Sequence, residues 1–94
     1  MHVSVLKFAV TIPDAGSLKS KRRVVKSLKE RLTARFPVSV AEVGGHDLWN
    51  YAEVAAAVVG REGSWCGEVL EEVRAFAARA PDLVLGTCEF EDLL

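Results

Sequence analysis

Little in this chain offers ready chemistry. There are two cysteines in 94 residues, Cys66 and Cys88, and no CxxC spacing. That is too few for a disulfide framework and lacks the pairing of a thiolate metal or redox site. They read as buried thiols in a reducing compartment. The longest apolar run, Val54 to Val59, is far too short to cross a bilayer. The N-terminus, MHVSVLKFAV, has neither a basic leader region nor a small-residue cleavage site. The expectation is a cytoplasmic protein with no membrane partner. There is no repeat, low-complexity tract or linker, and the length fits one domain over residues 1–94.

Convergent catalytic groups are equally scarce. His46 and Asp47 are neighbours in GGHDLWNY, but adjacent residues rarely turn both groups into one site, and no third ligand has recognisable spacing. His2 is remote in sequence. Asp47 reads as a turn cap and Trp49 as a plug at one end of the core. Gly60 to Gly63, GREG, lacks the Lys-Ser/Thr ending and long glycine spacing of a phosphate loop. Ser17 and Ser64 read as helix caps, since neither has a placed histidine. Glu71-Glu72 and Glu89-Glu91-Asp92 read as solvated. A non-enzymatic domain without metal or cofactor is therefore expected.

What is present is a hydrophobic half and a lopsided charge. Half the residues are hydrophobic, enough for a real core. Net charge is −1, yet residues 17 to 36 carry +7 and residues 37 to 94 carry −8. Eight of the twelve basic residues sit in GSLKSKRRVVKSLKERLTARF, against Glu30 alone.

His2 to Ile12 alternates as a strand. Leu6, Phe8, Val10 and Ile12 share one face, and Val3, Val5, Lys7, Ala9 and Thr11 the other. Ser17 is placed to cap a helix whose stripe is Leu18, Val25, Leu28, Leu32 and Phe36, and Pro37 stops it. Val38 to Val43 reads as a second strand ended by Gly44-Gly45. Tyr51 to Arg61 reads as a third despite its alanines, because Val54, Ala56 and Val58 alternate. A second helix follows, capped by Ser64, with Trp65, Val69, Leu70, Val73, Phe76, Ala77 and Ala80 inward. Leu83 to Phe90 is the last strand.

The order strand, helix, strand, strand, helix, strand gives an α+β fold: a ferredoxin-like βαββαβ sandwich with both helices on one face of a four-stranded antiparallel sheet. The other sheet face has no cover within one chain. Its residues Val3, Val5 and Ala9 are candidates for an oligomer interface, a homodimer being favoured.

On the first helix, Lys29, Arg22, Lys26, Lys19 and Arg23 fall about 40° to 160° from Val25, on one flank. Arg31 and Arg35 lie on the other. Lys21 leans toward the core, its head free to reach out to water. Lys19 with Arg23 and Arg22 with Lys26 are like-charge i,i+4 pairs, each unfavourable by about 0.2–0.5 kcal/mol, and the cations crowd the end where the helix dipole favours acids. In the second helix Glu68, Glu71 and Glu72 come early and Arg74 and Arg79 late, the favourable order. The contrast points to a negative partner for the first helix. Nucleic-acid phosphate, an acidic protein surface (this chain's own acidic remainder included) and plain solvent all fit. Lys19, Arg22, Arg23, Lys26, Lys29 and Trp49 are the candidate nucleic-acid-binding residues, with Trp49 or Tyr51 available for stacking. The aromatic signature of an RRM and the GxxG loop of a KH domain are both absent. Recognition through shape and salt-sensitive backbone contacts is expected. An adaptor that binds no nucleic acid is the alternative, and a small enzyme the third.

Ser17-Leu18-Lys19, Lys21-Arg22, Arg35-Phe36, the Val38 to Val43 strand and Asp47-Leu48-Trp49 together resemble the YlxP-like family of small bacterial domains of unknown function. The resemblance spans nearly the whole chain. It implies a ferredoxin-like fold and supplies no known activity. Members often lie in gene clusters with translation and ribosome-maturation factors, so it also points toward RNA or a ribosomal component. The pair Gly44-Gly45 before His46 departs from the family pattern and bears on the shape of the hairpin.

Overall fold

The structure, a computed structural model, describes residues 1–94. Its elements are β1 (His2–Thr11), α1 (Leu18–Arg35), β2 (Ser39–Gly44), β3 (Tyr51–Gly60), α2 (Gly63–Ala78) and β4 (Val84–Asp92). The strands form one sheet in the order β2-β3-β1-β4, antiparallel at every junction. This is the expected ferredoxin-like arrangement. No helix is long and apolar enough to cross a membrane.

The period-two pattern of β1 decides which face is covered. Leu6, Phe8 and Val10 are buried under the helices, beside Val54, Ala56 and Val58 of β3. The alanines of β3 suit this place: Ala52 and Ala56 are fully buried, and their small side chains sit on the covered face with the valines. Helix α1 contributes Val25, Leu28 and Leu32, and α2 contributes Cys66, Val69, Leu70, Val73 and Ala77. Ser17 caps α1 as expected, its hydroxyl accepting from the Ser20 amide at 3.1 Å.

Three expectations for α2 are overturned. Trp65 is 43% exposed rather than inward. Taking Val69 as zero, the buried arc runs from there to Leu70 at about 100°, and Trp65 falls about 40° outside it. Its ring lies against Gly60, where an added Cβ would stand 2.6 Å from Trp65 Cε3. The cap is Glu62 rather than Ser64, and its side chain makes no capping hydrogen bond. Glu68, Glu71 and Glu72 lie beyond the first turn, which holds no acid, and the last turn holds no base. The dipole contrast between the helices therefore does not stand. Glu71 instead takes the Arg74 guanidinium at 2.9 Å, a hydrogen bond that holds its carboxyl below the usual range.

Lys21 is the larger correction. Its side chain is 1% exposed and does not reach solvent. The ammonium lies 2.7 Å from Glu42 Oε2, and donates to the Gly45 carbonyl at 2.7 Å. The Glu42 contact is off the hydrogen-bond direction and is held by charge. Glu42 is the partner of Val54 in the sheet register, so it occupies a core-facing position of an edge strand. The pair ties the first turn of α1 to β2 and to the loop after it. Gly45 has φ +76°, and an added Cβ would meet Tyr51 at 3.0 Å, so this turn is reserved for glycine.

The far end of the sheet is closed by a polar clasp. Asp92 Oδ1 accepts from the buried Ser4 hydroxyl at 2.6 Å and stands 3.1 Å from His2 Nε2. The Leu93 amide donates to the Val3 carbonyl at 2.7 Å. These contacts carry the last strand past its expected end at Phe90.

Two outcomes follow. Lys21→Met leaves Glu42 without its counter-ion and costs about 3–5 kcal/mol by denaturant unfolding, whereas Lys21→Met with Glu42→Leu recovers most of it; a single-variant loss under about 1 kcal/mol would show the pair to be solvated. The Ser4 and His2 contacts hold the Asp92 carboxyl below the usual carboxylate range. A lowered folded pKa adds stability above the unfolded value, which is lost as pH falls through the folded one. Asp92→Asn is therefore less stable than the parent at neutral pH, and the gap closes below about pH 4. A gap independent of pH would remove the carboxylate from the explanation.

Candidate nucleic-acid interface

The eight cations of the basic segment divide into three groups. Lys21 is spent on Glu42. Arg31 and Arg35 lie on the flank facing α2: their guanidinium carbons stand 5.8 and 5.1 Å from the Phe76 ring centroid, and Arg31 reaches Asp82 at 3.7 Å. Phe76 also meets Phe36 edge to face, with centroids 6.0 Å apart, so this flank belongs to the contact between the helices.

The third group is the other flank. Lys19, Arg22, Arg23 and Lys26 are exposed and Lys29 is half-buried. Among these five the only ion pair is Lys26 with Glu30, at 4.0 Å between two exposed side chains, a contact of little energy. Opposed to the α2 side, this flank stands on the side of β2, an edge strand. Apart from Glu30 no carboxylate pairs with these five cations, and the acid of the neighbouring strand, Glu42, is taken by Lys21.

The Lys21 bond to Gly45 brings the Gly45–Asn50 loop to the start of this flank. The Leu48 amide donates to the Gly45 carbonyl at 3.0 Å, and the Ile12 amide to the Asn50 carbonyl at 2.9 Å, so the loop is held at both ends. Trp49 does not plug the core: it is 50% exposed, as is Leu48 beside it. Sequence reasoning expected Trp49 to plug one end of the core, but its indole stays at the surface. Tyr51 lies half-buried on the open sheet face, and burial together with the neighbouring Glu53 carboxylate pushes its phenol up.

No catalytic geometry is assembled by the expected groups. His46 and Asp47 are exposed, and neither side chain makes a hydrogen bond; Asp47 does not cap the turn. His2 is at the opposite end of the sheet from His46. The Ser4–Asp92–His2 set escaped sequence reading because its members are almost the full chain apart. It resembles a triad in composition only. Both Ser4 and His2 address the carboxylate, so no base faces the hydroxyl. Cys66 is buried, while Cys88 is only half-buried, with its thiol pushed up by burial.

Val3, Val5 and Ala9 lie on the uncovered face, each half-buried. They stand opposite Val59, Ala57 and Glu53 of β3, and Ala9 sits at the bulge between β1 and β4. Lys7 is at the centre of this face, 3.9 Å from both Glu53 and Glu89.

Comparison with known proteins agrees with the resemblance seen in the basic segment and the Asp47-Leu48-Trp49 loop. A family model described as "Protein of unknown function (DUF503)" matches residues 3–90, which takes in both helices and the loop. The chain is also similar to "Uncharacterized protein YlxP" of Bacillus subtilis (strain 168), with 36% identity over 72 residues, 77% of this chain and 78% of that protein.

Proposed function

The chain belongs to the DUF503 family of proteins of unknown function, and we propose that it is a non-enzymatic domain that binds RNA or a ribosomal component through α1. The observation that carries this reading is the division of the helix's cations. Lys21, Arg31 and Arg35 have partners within the chain, whereas Lys19, Arg22, Arg23, Lys26 and Lys29 share one flank with a single weak pair. A phosphate backbone supplies a row of anions for such a flank, and binding releases its condensed counterions. Acidic protein offers charge without that regular array.

The uncovered sheet face supports a second reading, in which a second copy covers it. A ten-residue β1 at about 3.3 Å per residue, in four strands about 4.8 Å apart, gives a footprint of roughly 600 Å². That approaches the ~800 Å² per partner of a stable complex. Its floor is small and flat, with Ala41, Ala55 and Ala57 beside Val3 and Val5. Without such a copy, the same fold acts as an adaptor for another protein.

For the first reading, binding to structured RNA is expected to weaken about 100- to 500-fold between 50 and 200 mM salt, given roughly five phosphate contacts. Arg22→Glu, Arg23→Glu and Lys26→Glu together abolish it in filter binding. Absence of binding at low salt, or indifference to the charge reversal, sinks the reading. For the second, sedimentation equilibrium at micromolar concentration gives a dimer that Val5→Glu converts to monomer. A parent protein that sediments as monomer counts against self-association.

A further inference from the structure

We propose that the Gly45–Asn50 loop is a stacking platform for an unpaired base, so that the nucleic acid held by α1 is single-stranded at the helix's N-terminal end. This deepens the reading above and rests on it. A basic flank alone does not discriminate between duplex and single strand, since both present phosphate. The loop adds a different chemistry. Trp49 is half-exposed beside a half-exposed Leu48, whereas Phe8 is in the core, Phe36 and Phe76 are in the contact between the helices and Tyr51 is on the sheet with Glu53; the other exposed aromatics are Phe90, on edge strand β4, and Trp65.

The loop that carries Trp49 is not slack. The Lys21 ammonium holds its first residue to the turn of α1 that bears Lys19 and Arg22. The Asn50 carbonyl holds its last residue to the end of β1. An exposed indole on a loop tied to a cationic helix is the pairing that single-strand sites use: phosphates follow the positive surface, and a base, freed from its neighbours, lies on the aromatic ring. In a duplex the bases are stacked on each other and offer no free face at that position. Stacking is indifferent to base identity, in keeping with a site that has no base-edge readers.

Trp65 is the natural control. It is exposed to a similar degree, 43% against 50%. It lies over Gly60, at the other end of β3 from Tyr51, about 30 Å away along a ten-residue strand. Beside it stand Arg61 and Glu62 rather than a row of cations.

The test uses the full chain. In Trp65→Phe, Trp49 is the only indole. Its emission is expected to be quenched by a uridine oligonucleotide of about 12 nucleotides, and not by an RNA duplex of the same length that binds the same flank. Trp49→Ala is expected to weaken the single strand about tenfold or more while leaving duplex affinity and the melting temperature in place. Trp49→Phe restores part of the loss, and Trp65→Ala changes nothing. If Trp49→Ala binds the single strand as the parent does, or Trp49 emission stays constant while the oligonucleotide is bound, the platform is overturned and phosphate binding by α1 survives. If neither nucleic acid binds at low salt, both fall together.

Discussion

The placement of the charged surface depends on one buried contact, Lys21 with Glu42. A carboxylate on the covered side of an edge strand has few ways to be neutralised, and an uncompensated ion there costs several kcal/mol. Only a cation arriving from above can meet it, and Lys21 arrives when the first turn of α1 lies over the end of β2. The same ammonium takes the Gly45 carbonyl, so a single side chain sets the rotation of the helix and the seat of the loop. With Lys21, Val25, Leu28 and Leu32 turned down, the remaining cations have no choice but the two flanks.

Magnitudes explain why a helix so poor in favourable charge still forms. Its like-charge pairs cost tenths of a kcal/mol each, and its first turn lacks the acid that the dipole favours. Burying Val25, Leu28 and Leu32 contributes about 1.5–3 kcal/mol apiece. The apolar stripe therefore outweighs the repulsion several-fold, and the outer flank is free to carry charges that do nothing for the helix itself. The division of labour on that helix is a consequence: bases on the α2 side pack on Phe76, and bases on the far side face outward.

The fold was legible because alternation and helical stripes report which side of an element is buried, and the strand order follows from connectivity. Ser17 was legible because capping is local. The misreadings have two causes: those in α2 came from placing the helix start and its buried arc wrongly, and those at Lys21 and Trp49 concern where a side chain ends up relative to the rest of the fold. Lys21 was assigned a solvated head because lysine usually has one, and its partner became visible only once the register placed Glu42 on the inward face of β2. Trp65 was counted in the buried stripe of α2, although its angle lies outside the arc set by Cys66, Val69 and Val73. The Ser4–Asp92 clasp joins opposite ends of the chain and left no local signal. For the candidate interface, the five flank cations were legible from helix geometry, but the fact that Arg31 and Arg35 are engaged elsewhere required Phe76 and Asp82 to be seen beside them.

The two layers also differ in sign, and this bears on how the proposed surfaces coexist. The open sheet face sets Lys7 among Glu53, Glu89 and Glu91, a net negative surface that repels phosphate. The basic flank belongs to the helix layer on the opposite side. A second copy docked sheet to sheet leaves both α1 flanks outward, so dimerisation and nucleic-acid binding do not compete for surface. It also doubles the number of flanks on one particle, which raises the effective concentration of the second site once the first is engaged. In the proposed dimer a flank of five cations would then suffice for avid binding to a long strand, and the Glu53, Glu89 and Glu91 carboxylates of each copy would keep that strand on the helical side.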